Sequence, residues 1–181
     1  FRIIGFADLH DCWARLERLR GIGADLIACC GDLHNGGSRE TALPAAFALA
    51  GIGPPVLIVP GNMDHKDFVP DLWKEAGFKM LHGSSLMCGE IGFIVLGGMV
   101  ARDPRRLGHP GRYYHGEDEV YPLLARCHQE IAEAKTRIVL CHQPPRGVQD
   151  TLYNGESSGS TGLRRFLEDF QPRLFLCGHI H

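Results

Sequence analysis

RLFLCGHIH, residues 173–181, runs from an apolar strand-like stretch directly into two imidazoles, His179 and His181. Four other segments end in the same manner. RIIGFAD (2–8) leads into Asp8-Leu9-His10, LIACCGD (26–32) stops at Asp32, VLIVPGN (56–62) at Asn62, and RIVLCHQ (137–143) holds His142. Short runs of Ile, Val, Leu and Cys bounded by Gly, Asp or Pro are the pattern of strands buried on both faces of a sheet. They predict strands at 2–7, 25–30, 56–59, 137–141 and 173–177. In α/β proteins the carboxyl ends of such strands border one crevice, where loops anchored on a rigid sheet present polar side chains. Seven oxygen or nitrogen donors are therefore expected to converge beyond five strand ends.

Helical periodicity fills the intervals. Segment 11–20 sets Trp13, Leu16 and Leu19 near one face, with Asp11 as its cap. Segment 38–50 starts at Ser38 and carries Pro44 near its first turn, where a missing N–H is tolerated. Segment 119–134 groups Leu123, Leu124, Cys127 and Ile131. In 160–170, Ser160 is the N-cap and Leu163, Phe166, Leu167 and Phe170 fall at i, i+3, i+4 and i+7. The middle differs: FKMLHG (78–83), SLMCGE (85–90) and IGFIVLGG (91–98) follow with only turns between, which predicts hairpin-like pairing and a second sheet packed on the first. Two stretches exceed ordinary loop length. One is 98–117, with Arg102, Arg105, Arg106, Arg112, Tyr113, Tyr114 and His115; the other is the Gly/Ser/Pro-rich 143–160.

The 181 residues suit one domain, 1–181, with a substantial core. A charged fraction of 22% and a formal net charge of −2 give no bulk cationic field, which argues against nucleic acid as a partner. No apolar run reaches the ~18 residues of a membrane helix, and none reads as a signal peptide. The seven cysteines are odd in number, lack a CxxC pair and fall mostly in strand or helix patterns, as buried reduced thiols of a cytoplasmic protein would. Nothing in the sequence sets the oligomeric state.

The donor set has a chemistry of its own. A carboxylate using both oxygens bridges two cations, and Asp32, just after Gly31, is placed to do so. Asp8, His10 and His181 can complete one site, and Asn62, His142 and His179 the other. Imidazole and carboxylate without thiolate favour Mn, Fe, Co, Ni or Zn over Mg or Ca. Two such ions, typically about 3.5–4 Å apart, can hold a bridging hydroxide and neutralise a phosphoryl group under in-line attack.

DLH (8–10), GDL (31–33), GNMD (61–64), CHQPP (141–145) and GHIH (178–181), in this order, resemble the signature of the calcineurin-like metallophosphoesterases. The likeness spans nearly the whole chain and is closest to small prokaryotic phosphoesterases. It implies an α/β fold, a four-layer α-β-β-α sandwich of two packed mixed sheets. The dinuclear site would lie at the strand ends, with Asp32 bridging in the division given above. It also implies further C-terminal strands beyond GHIH. The reaction it implies is hydrolysis of a small-molecule phosphodiester or phosphomonoester, with Asp32, Asn62, Asp64 and His142 in catalytic positions. The chain departs from the common GNH followed by Asp or Glu: Met63 stands in place of the histidine, and a thioether donates no proton. Esters that need leaving-group protonation should therefore suffer by about 10²–10⁴-fold and aryl phosphates least. His34, His65, His109 and His115 are the substitute acids on loops, although each reads first as a solvated histidine. Asp64 orients a neighbour rather than binding metal. The Arg/Tyr loop 102–114 either clamps a phosphate or forms a solvated edge. Two other activities fit the sequence: cleavage of a pyrophosphate bond in a nucleotide or lipid precursor, and a non-catalytic scaffold of the same fold.

Overall fold

Crossover segments dictate parallel pairing in the first part of the chain, because a strand that returns through a helix re-enters the sheet in the same direction. In the computed structural model, which describes residues 1–67 and 69–180, β1 (Ile3–Phe6) is followed by a 3₁₀ helix (Trp13–Leu19) and β2 (Leu26–Cys29). Helix α1 (Arg39–Ala50) connects to β3 (Val56–Ile58), and α2 (Val69–Glu75) to β4 (Lys79–Met80). These strands form one sheet in the order β1-β2-β3-β4, every pair parallel.

The second sheet is mixed. Strand β5 (Ser84–Cys88) turns through Gly89, at φ +59°, into antiparallel β6 (Ile91–Leu96). A two-stranded ribbon, β7 (Met99–Val100) with β8 (Tyr114–His115), then precedes α3 (Glu117–Glu130), β9 (Thr136–Cys141), α4 (Thr161–Phe170) and β10 (Leu174–Leu176). The sheet order is β10-β9-β6-β5, with β6, β9 and β10 parallel.

Apolar side chains on both faces of each sheet create three clusters. Ile27, Ile58 and Leu33 pack with Ala46, Leu49 and Trp73 of α1 and α2. Ile94, Val139 and Cys141 pack with Leu124 and Cys127 of α3 and Leu163 and Phe166 of α4. Between the sheets, Ala28, Leu57 and Val59 meet Phe93, Val95, Ile138 and Leu140. Each fully buried Leu, Ile or Phe contributes about 1.5–3 kcal/mol of transfer free energy. All parallel ends consequently point one way, toward the loops that carry the candidate donors.

Several expectations need correction. The run 78–83 is not part of a hairpin series: its β4 joins the first sheet in parallel, so that sheet is all-parallel rather than mixed. Segment 11–20 forms a 3₁₀ helix, and Asp11 does not cap it. Cys12 holds the cap position, while Asp11 sits at φ +63° and its Oδ2 accepts from Asn35 N–H at 3.2 Å. Pro44 lies at the sixth residue of α1, past the first turn, and so removes one intrahelical bond. Ser160 does cap α4, its Oγ accepting from Leu163 N–H at 3.1 Å. All seven cysteines are free thiols, but Cys12 and Cys88 are exposed instead of buried.

Two neighbouring histidines, His82 and His115, with ring centroids 6.4 Å apart, contribute to the acid sensitivity of stability. Desolvation of its ring pushes His82 down to about 4, aided by Lys66, although the residue keeps an exposed edge, and desolvation with the charge of His82 pushes His115 to about 4 despite Glu119 and Glu117. An unfolded imidazole titrates near 6.5. Between these values the unfolded chain takes up protons that the native chain does not. Stability contributed above pH 6.5 is therefore lost as pH falls toward 4. Urea unfolding in chelator at pH 7 and pH 4.5 should show this loss, and His82→Phe with His115→Phe should flatten it. An unchanged slope in the double variant would remove these two groups as the cause.

Candidate metal centre

Backbone strain marks the strand ends before any side chain is considered. Seven described non-glycine residues have φ in the left-handed region, and five are Asp8 (+54°), His10 (+45°), Asp11 (+63°), Asp32 (+52°) and His179 (+75°). Each costs on the order of 1–2 kcal/mol and persists because its surroundings overdetermine it. The surroundings are visible. Asp8 N–H donates to Gly31 O (2.9 Å), His10 N–H to Asp32 O (3.1 Å) and Gly178 N–H to His142 O (2.9 Å), stitching the loops of four strands together.

The strained turns aim their side chains at one another. Donor atoms of Asp32, His142 and His179 all lie within 4.8 Å of one another, and so do those of Asp8, His10 and Asp32. Asp32 is common to both groups. Its carboxylate rests against Gly61, where any Cβ would overlap Oδ1, and Asp8 rests likewise against Gly178. A side chain at Gly31 would in turn come within 2.8 Å of His142 Nδ1. The glycines of the GD, GN and GH pairs thus make room for neighbouring donors.

His142 is fully buried, and its Nδ1 lies 2.8 Å from Cys30 O, so Nδ1 carries a proton and donates. Its Nε2 then faces two oxygens, Asn62 Oδ1 at 3.0 Å and Asp32 Oδ2 at 3.3 Å. A lone pair directed at two oxygens is stable only with a cation between them, either a second proton or a metal. Without metal the proton is favoured. Burial pushes His142 down, but the hydrogen bond and charge of Asp32 and the Cys30 carbonyl raise it above its ordinary value. Asp32 answers in kind: burial pushes it up, while His142, the Met63 N–H at 2.7 Å and His10 hold it below the usual carboxylate range. The donor set thus fits a divalent cation that would displace that proton.

His10 is oriented similarly, with Nδ1 2.8 Å from Asn35 Oδ1 and Nε2 3.8 Å from Asp8 Oδ1. Asp8 Oδ2 accepts from His179 N–H at 2.8 Å, and the rings of His179 and His142 lie 5.0 Å apart. His181 lies outside the described residues. Asp64, 1% exposed, accepts from Gly61 N–H (2.6 Å) and Asp32 N–H (3.1 Å) and faces His34 Nε2 at 3.3 Å. Burial pushes Asp64 up, opposed by His34 and assisted by Asp32. His34 is fully buried, not a solvated loop histidine.

Two residues have roles at the site that the sequence does not show, although Arg112 stands among the cations of the 102–114 loop. Asn35, three residues past Asp32, orients His10. Arg112 reaches from loop 98–117 to donate to the Met63 carbonyl, and its guanidinium lies over Gly36. Asn35 could have been suspected from its place just after GDLH; nothing local in the sequence singles out Arg112 among its neighbours.

Parallel strands delivering two carboxylate–imidazole groups that share one aspartate define a mixed α/β protein with candidate metal-ligand groups at its strand ends. The chain belongs to the calcineurin-like phosphoesterase family, whose model matches residues 1–181. At the level of the family this means metal-dependent hydrolysis of phosphoesters. An uncharacterized protein of Methanocaldococcus jannaschii is 27% identical over 186 residues, covering 99% of this chain and 80% of its own. A solved crystal structure shares the fold at a TM-score of 0.79 with 14% identity, over 99% of this chain and 84% of that one. No described helix is long and apolar enough to cross a membrane.

Proposed function

We propose that this protein is a dinuclear metal-dependent hydrolase of small-molecule phosphoesters, built as a four-layer α-β-β-α sandwich and working in the cytoplasm. The observation that carries the reading is the pair of donor groups sharing Asp32. Asp8, His10 and His181 with Asp32 would hold one ion; Asn62, His142 and His179 with Asp32 would hold the other. Bound there, two divalent ions of the Mn, Fe, Co, Ni or Zn type neutralise phosphoryl oxygens and activate water near neutral pH.

The chain's own residues supply the rest. Cys30 O fixes the His142 tautomer, Asn35 turns His10, and the Met63 N–H holds Asp32 Oδ1 while the Met63 side chain offers no proton. Esters with acidic leaving groups, aryl phosphates first, are therefore the favoured substrates. The test is to measure bound metal, then to assay a bis-aryl phosphodiester beside an aryl monoester with Mn added and with chelator. About two equivalents of metal and chelator-sensitive turnover are expected. Protein that takes up no metal and turns over neither ester would overturn the proposal in favour of a scaffold.

A further inference from the structure

Arg112 is half-buried in the stretch between β7 and β8, and its guanidinium reaches the strand-end loops. Nη1 donates to the Met63 carbonyl, with the Asn62 carbonyl 3.5 Å away. The guanidinium rests on Gly36, where a Cβ would come within 2.5 Å of Nη2 and 2.8 Å of Nη1. That glycine, at φ +68°, leaves the space the guanidinium fills. The cation is thus seated between the loops that follow β2 and β3, and both loops serve the donor groups. Asn35, beside Gly36, turns His10, and Asn62 Oδ1 faces His142 Nε2 at 3.0 Å. Met63 joins the cation to the shared carboxylate: its N–H holds Asp32 Oδ1 at 2.7 Å while its carbonyl holds Arg112.

Charge pairing separates Arg112 from its neighbours. In the same stretch Arg105 pairs with Asp103 at 2.7 Å and Arg102 with Glu156 at 3.6 Å, while Arg106 donates to the Tyr114 hydroxyl at 3.0 Å. Among the described residues no carboxylate lies within ion-pair distance of Arg112, and its Nε and Nη2 make no hydrogen bond to them. A backbone carbonyl occupies one edge of the planar five-donor fork and neutralises none of its charge. What the free edge matches is an oxyanion, and a phosphoryl group is the oxyanion that the adjoining donor groups call for. Counting oxygens narrows the class. A phosphomonoester carries three non-bridging oxygens and close to two negative charges near neutral pH, a diester two oxygens and one charge. Arg112 belongs to neither donor group, so it adds most where a third oxygen remains to be held.

We propose that Arg112 binds the third non-bridging oxygen of a terminal phosphoryl group and so directs the site to phosphomonoesters; the substrate assignment rests on the proposed hydrolase activity, the anion site does not. Inorganic phosphate added to zinc-loaded protein should shift the Arg112 Nε–H resonance saturably, that resonance being assigned by its loss in Arg112→Lys. Arg112→Ala should raise the phosphate Kd at least tenfold and Arg112→Lys by less, both with zinc affinity within threefold of wild type. The wild-type titration stands even if the alanine variant does not fold. A resonance that phosphate leaves in place, in zinc-loaded and chelator-treated protein alike, would overturn the site. So would variants that lose zinc affinity and keep phosphate affinity, since Arg112 would then only staple two loops. For turnover, kcat/KM of an aryl monoester should fall tenfold or more in Arg112→Ala and that of a bis-aryl diester by less than threefold. Equal losses would overturn the monoester assignment. Phosphate binding through Arg112 with turnover of neither ester would instead count against the hydrolase reading and leave the anion site standing.

Discussion

Asp32→Asn should fold normally yet lose Mn-dependent stabilisation and turnover together. Asparagine keeps the shape and the oxygen that accepts the Met63 N–H, so the loop after β3 remains anchored. Its amide N–H can face Nε2 of a neutral His142 whose Nδ1 still donates to Cys30 O, replacing an ion pair by a neutral hydrogen bond. What asparagine lacks is the charge and the second anionic oxygen that one residue contributes to two donor groups. Both groups are disabled by one atom change. The expected loss in kcat/KM is at least on the order of 10³-fold, beyond the 10²–10³ typical of removing one electrostatic donor. The wild-type protein should gain about 2.7 kcal/mol of stability at a metal concentration a hundredfold above Kd, and the variant nearly none. Thermal melts with and without Mn read this directly. A variant that kept the full metal-dependent shift would show that Asp32 does not bridge.

Much of this site was legible because each strand is a short apolar run ended by a single polar break. The fold needs the apolar run, and chemistry explains a donor in every break. Asp8, Asp32, Asn62, His142 and His179 are brought together on that logic. The resemblance quoted from the same five motifs agrees with the family to which the chain belongs. What the sequence hid was decided by tertiary contact. Strand β4 is two residues long, too short to show its own direction, and becomes parallel only because α2 carries the chain back across the sheet. Segment 13–19 has helical spacing but no capping side chain, and it settles as a 3₁₀ helix. Arg112 and His115 sit in a stretch that reads as loop; pairing of Met99–Val100 with Tyr114–His115 fixes His115, and the bond to the Met63 carbonyl fixes Arg112. A histidine in a polar loop, as His34 is by sequence, is ordinarily solvated. Its burial follows from Asp64, a carboxylate thirty residues away in sequence.

That pair supports the second large prediction. Asp64 stands two residues after Asn62, where a catalytic acid or base is an obvious reading, but its contacts describe a brace: two backbone N–H groups from two ligand-bearing loops and the imidazole of His34. Asp64→Ala would leave both buried donors unsatisfied and strand a buried histidine, at a cost of about 3–5 kcal/mol. Asp64→Asn retains one accepting oxygen and should cost less, on the order of 1–2 kcal/mol. Because Gly61 and Asp32 are the residues it positions, metal affinity should fall by about 10–100-fold, the range seen when support to a ligand is removed. With metal restored to saturation, however, kcat in Asp64→Asn should recover to within tenfold of wild type. A catalytic acid or base would behave oppositely, with stability and metal affinity kept and kcat lost at saturating metal. Adding His34→Ala to Asp64→Ala should destabilise by less than the sum of the single changes, since the two groups compensate each other in the buried pair. Strict additivity, or a kcat that saturating metal fails to restore, would remove Asp64 from its bracing role and return it to the reaction itself.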